Sequence, residues 1–133
     1  QAPAGNPSGA FHARAGKLAQ MSRPLTASEY TLARWMLEHG KPEAVNFLPQ
    51  LESAKVSTWK CPCGCASFNF DVPAGTGGMN ILGDFLFGDS DSCCGIFIWE
   101  RDGKLEGVEV CGYAVDAPKV LPLPEELKSV PKS

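Results

Sequence analysis

The sequence predicts an α+β domain, with two N-terminal helices packed on an antiparallel sheet of about five strands. Three observations carry this expectation. Helix caps and 3.6-residue apolar spacing are confined to residues 25–51, whereas from residue 55 onward the apolar side chains alternate with period two in short runs. Between those runs stand Gly, Pro and Asp, and Asp102-Gly103 lies between two alternating segments, the strongest short-range signal for a hairpin. The chain has 133 residues, which suits one domain with a real core, while its 14 glycines and 11 prolines favour many turns over long helices.

Residues 1–20 are rich in Ala, Gly, Pro and Ser, with only Phe11 and Leu18 as large apolar groups, too few to offset their ordering entropy. They are expected to be a disordered extension, and the domain to occupy residues 21–133, starting where the composition changes at Met21. Thr26 and Glu29 have capping-box spacing, and Leu25 is placed to staple onto Tyr30. These signals predict a helix from Ala27 to His39, its apolar face Tyr30, Ala33 and Leu37 widened by Trp35 and Met36, closed by Gly40 in the usual helix-ending role and by Pro42. Pro42 then opens a second helix through Ala44, Phe47, Leu48 and Leu51, which Pro49 must kink or split.

Strands are expected over residues 55–60, 65–72, 81–87, 94–100 and 105–111, in largely meander order. Phe68, Phe70 and Val72 share one face while Ser67, Asn69 and Asp71 share the other, so one face of the sheet is solvated, which favours antiparallel pairing. Asp89-Ser90-Asp91-Ser92 reads as a solvated turn rather than a calcium loop, since it lacks the spaced ligands and the glycine in register. After Tyr113 the chain is proline-rich and should lie along the surface, with a short helical turn near residues 124–128.

The net charge of −3 disfavours nucleic acid as a partner. No run approaches the ~18 apolar residues of a membrane helix, and the N-terminal residues lack a continuous apolar segment, so the expectation is a cytoplasmic protein with no membrane partner. In a reducing compartment its six cysteines are small hydrophobes, metal ligands or reactive thiols in preference to disulfides.

Half of them fall in one short stretch, Cys61-Pro62-Cys63-Gly64-Cys65, where a proline and a glycine predict a tight turn of thiols. Three thiols so close suit a metal, zinc first, because structural zinc sites take four Cys or His ligands. The candidate set is Cys61, Cys63 and Cys65 with a fourth from Cys93, Cys94 or Cys111, Cys94 being the expected one. The C-x-C-x-C spacing departs from the usual C-x₂-C knuckle. Two other readings compete: a thiol of lowered pKa working as a redox group or nucleophile, and a purely structural turn with Cys61 and Cys65 facing the core and Cys63 a bystander. His39, at a helix end, is better placed to meet the last carbonyls than to act as a base. Phosphate-binding loops, the G-x-S-x-G elbow and H-E-x-x-H are absent from the sequence, so no catalytic residue is named.

The segments Leu32-Ala33-Arg34-Trp35-Met36-Leu37-Glu38-His39-Gly40, Phe47-Leu48-Pro49-Gln50-Leu51, Cys61-Pro62-Cys63-Gly64-Cys65 and Asp102-Gly103-Lys104-Leu105-Glu106-Gly107-Val108-Glu109 together resemble a family of small bacterial proteins of uncharacterised activity. The resemblance spans residues 25–124, and Cys63-Gly64-Cys65 is its most specific part. It implies a cytoplasmic bacterial domain and transfers no functional residue. The functional expectation is a non-enzymatic binding or interaction domain with a protein or small-molecule partner and no cofactor. The alternative is a cysteine-dependent zinc-binding or thiol-redox protein.

Overall fold

A computed structural model of the chain describes residues 22–130, so the expectations for residues 1–20 and for Met21 fall outside the described residues. The fold is α+β. Its main sheet has five antiparallel strands in the order β3-β6-β5-β4-β7: β3 (Phe68–Asn69), β4 (Met79–Phe87), β5 (Cys94–Arg101), β6 (Lys104–Gly112) and β7 (Lys128–Ser129). Two further strands, β1 (Arg23–Pro24) and β2 (Lys55–Val56), pair with each other, and a bridge from Val56 to Phe70 ties β2 to the continuation of β3.

Helix α1 (Ala27–His39) has the ends its sequence dictates at the N-terminus. Thr26 Oγ1 accepts from the Glu29 amide at 3.1 Å, and the Thr26 amide donates to Glu29 Oε1 at 2.8 Å, a reciprocal capping box. At the other end Gly40 departs from expectation: its φ of −88° is not the left-handed cap. Glycine is needed there for closeness instead, because a Cβ on Gly40 would stand 2.2 Å from the Leu82 carbonyl oxygen, and the next amide, Lys41, donates to that oxygen at 2.8 Å. The helix end is thereby stitched to β4.

Pro49 splits the second helical stretch as expected, into a 3₁₀ segment (Pro42–Phe47) and a short helix α2 (Leu48–Glu52) in which Pro49 occupies the first turn. Helical residues are not all near the N-terminus, since Pro124–Glu126 forms a 3₁₀ turn in the tail. Leu32, Met36 and Leu37 of α1 meet Leu82 of β4 and Ile96 and Ile98 of β5 in the core, joined by Leu51, Val56, Leu105, Val108 and Val110. Each such buried side chain contributes roughly 2 kcal/mol against exposure to water.

The strands correct the sequence reading in three places. The expected 55–60 strand lasts two residues and lies outside the main sheet, and the 65–72 strand shrinks to Phe68–Asn69. A meander holds for β4, β5 and β6, but β3 closes on β6, and the proline-rich tail adds β7 on β4, with Leu127 buried behind it. The hairpin between β5 and β6 turns where expected, with Asp102 at φ 55° and Gly103 at φ 81°, both in the left-handed region that a two-residue turn requires.

Candidate functional site

Cys61-Pro62-Cys63-Gly64 is a β-turn closed by the Gly64 amide, which donates to the Cys61 carbonyl at 2.9 Å. Pro62 presets the backbone at the second position, and Gly64, at φ 81°, takes the left-handed conformation that reverses the chain toward Cys65. The turn gathers its three thiols. Cys61 Sγ and Cys63 Sγ are 3.1 Å apart, and the sulfurs of Cys61, Cys63 and Cys65 all lie within 4.8 Å of one another, close enough to hold a metal ion.

Each thiol has a different setting. Cys63 is exposed and Cys61 half-buried, whereas Cys65 packs against the core edge. The expectation that Cys61 also faces the core therefore does not describe this turn. Hydrogen bonding to Cys63 pushes the Cys61 thiol up to about 11. Burial pushes Cys65 up as well, but the Ser67 hydroxyl and amide, with the Cys63 and Cys61 thiols, outweigh it and bring Cys65 down to about 7.

Ser67 is the buried hinge of this arrangement. Its Oγ stands 3.2 Å from Cys65 Sγ, accepts from the Val110 amide at 2.9 Å and lies 3.4 Å from the Val110 carbonyl. A thiol at Cys65 donates to Ser67, and a thiolate instead receives the hydroxyl proton, so the same contact serves both states. On the other flank the Ala66 amide donates to the Pro118 carbonyl at 2.9 Å, which holds the tail against the turn. Lys119 Nζ lies 3.4 Å from where a Gly64 Cβ would stand, and Lys119 lines the same cleft as the three cysteines.

The turn forms one wall of an open cleft of about 650 Å³, also lined by Trp59, Glu109, Cys111, Asp116 and Lys119. Cys94 is not in the cluster. Its side chain is buried with Ile96 and Ile98, and its thiol donates to the Ser92 carbonyl at 3.4 Å. Desolvation raises its pKa, with Cys93 and Cys111 adding to the effect. The strand alternation itself carries the signal, since Cys94 has the parity of Ile96 and Ile98, whereas Cys111 has the parity opposite to the buried Val108 and Val110. Ser67, expected on the solvated face of its strand, is instead buried with its hydroxyl on the Val110 main chain, and Lys119 carries no signal in the sequence; both placements depend on contacts to residues more than forty positions away.

A separate cleft of about 480 Å³ lies between α2, β6 and the residues after β3. Its Gln50 is committed to the fold: the side-chain amide donates to the Gly103 carbonyl and accepts from the Leu105 amide, at 2.8 and 2.9 Å. His39 is likewise engaged, stacked on Trp35 with Nδ1 2.8 Å from the Trp35 carbonyl. Among the described residues no helix is long and apolar enough to cross a membrane. No protein-family model, no curated protein and no solved structure matches the chain.

Proposed function

We propose that the protein is a small non-enzymatic binding domain whose working element is the thiol turn, and that Cys61, Cys63 and Cys65 hold a thiophilic metal ion, zinc first. One observation carries the reading. Thiolates sharing a zinc ion at bonds of about 2.3 Å stand about 3.8 Å from one another, and in the turn the Cys61 and Cys63 sulfurs are 3.1 Å apart with all three sulfurs within 4.8 Å. Small side-chain rotations are enough to converge them. Lys119, in the lining of the same cleft, supplies a positive charge on the side where three thiolates would leave a divalent ion with excess negative charge, and a free-thiol site of this kind belongs in a reducing compartment such as the bacterial cytoplasm. Its acidic net charge favours a protein or small-molecule partner over nucleic acid.

Zinc titration of the reduced chain tests this directly. One equivalent should bind, and Cys61→Ser, Cys63→Ser and Cys65→Ser should each weaken uptake by more than tenfold. A chain that takes up no zinc, or three variants that bind like the parent, would refute the reading. A second reading, thiol redox, draws on the 3.1 Å contact between Cys61 and Cys63. In it a small-molecule disulfide such as oxidised glutathione accepts two electrons and two protons from the two thiols, which join as a disulfide. Loss of two hydrogens from the peptide carrying both cysteines, detected by mass spectrometry under that oxidant, would favour it.

A further inference from the structure

Three thiolates leave a zinc ion short of the four ligands that structural sites provide. We infer that Cys111 is the fourth ligand, closing the tetrahedron across the cleft from the turn; the inference rests on the metal-binding reading above. Four cysteines line that cleft, Cys61, Cys63 and Cys65 on the turn and Cys111 on β6, whereas Cys93 and Cys94 do not. Cys94 is occupied in the core. Cys111 is half-buried on the solvated side of β6, opposite in parity to Val108 and Val110.

The turn is moored beside it. Ser67, bonded to Cys65, holds both main-chain groups of Val110, the residue immediately before Cys111. Cys111 lies outside the 4.8 Å cluster, so metal binding must draw the turn across the cleft toward β6. What separates them is the open cleft. Glu109 and Asp116 line the same space, but both are exposed, and a carboxylate beside three thiolates is the weaker match for a thiophilic ion than a fourth sulfur. The Tyr113 side chain, whose hydroxyl interacts with Cys111, is exposed, so solvent can accommodate that hydroxyl when the sulfur turns to the metal.

Cobalt(II) reports the ligand set, because the near-ultraviolet thiolate-to-cobalt absorption scales with the number of bound sulfurs and the visible bands report tetrahedral geometry. The reduced full chain, titrated with cobalt, should give a tetrahedral spectrum that Cys111→Ser and Cys111→Ala each lower by about a quarter in charge-transfer intensity, four sulfurs becoming three. Glu109→Gln and Asp116→Asn should leave it unchanged. Alkylation mapping of the parent chain avoids substitution altogether: zinc should protect Cys111 together with Cys61, Cys63 and Cys65 and leave Cys93 as reactive as before. A parent spectrum retained in both Cys111 variants, or a Cys111 that zinc does not protect, overturns the inference while sparing the three-thiol site. A parent chain that takes up no cobalt overturns both.

Discussion

Glu29 shows how much one side chain settles in this fold. It accepts from the Thr26 amide at the start of α1, and its two oxygens receive the two terminal nitrogens of Arg23, each at 2.8 Å, so that β1 and the helix cap are fastened by the same carboxylate. Burial pushes its pKa up, yet Arg23 and Thr26 outweigh burial, and the net shift is downward. A lowered carboxylate pKa stabilises the fold fully above the unfolded value and loses that contribution as pH falls through the folded value. Because Arg23 is half exposed, screening limits the effect. Glu29→Gln is therefore predicted to cost about 1 kcal/mol at pH 7. In urea melts, the gap between parent and variant should shrink below about pH 4, and a gap that persists there would contradict the assignment.

At the scale of elements, what the sequence disclosed was whatever is decided locally. The capping box of Thr26 and Glu29 lies within one turn, and the Asp102-Gly103 turn within two residues, so α1 and the β5–β6 hairpin were legible. Elements two residues long were not. Strands β1 and β7 contain Arg23–Pro24 and Lys128–Ser129, which have no alternation to read; their pairing is imposed by Val56 and Lys55 in one case and by Phe85 and Leu86 in the other. The 55–60 strand was overextended for the complementary reason: its alternation continues past Val56, but the chain must leave the sheet to make the thiol turn. Gly40 is the helix end that the sequence marks, but what requires glycine there is the close approach of the Leu82 carbonyl of β4 and the Met36 carbonyl of α1, not a left-handed cap. Gly40→Ala should therefore cost about 2–3 kcal/mol, because the Leu82 and Met36 carbonyl oxygens that its Cβ would meet are backbone atoms that cannot swing aside. A denaturant melt within about 0.5 kcal/mol of the parent would show that α1 does not press on β4 in this way.

For the molecule as a whole, the sheet divides the cysteines by face and edge. One side of β5 and β6 builds the core with Cys94, Ile96, Ile98, Val108 and Val110, and the edge beyond β3 receives the thiol turn through Ser67 and Val110. The three-thiol part of the site was legible because it is contiguous in sequence. Its surroundings were not, because the cleft is assembled from β6 and the tail, and the choice of Cys94 overlooked the parity that buries it. If the turn holds a metal ion, as proposed, that metal contributes folding energy that chelation removes. Native mass spectrometry of the protein purified under reducing conditions, before and after a strong chelator and paired with thermal melts, tests it most directly. The expected result is one zinc ion per chain, lost to chelator together with a fall in melting temperature that added zinc restores. A metal-free chain whose melting temperature ignores both chelator and zinc would contradict it.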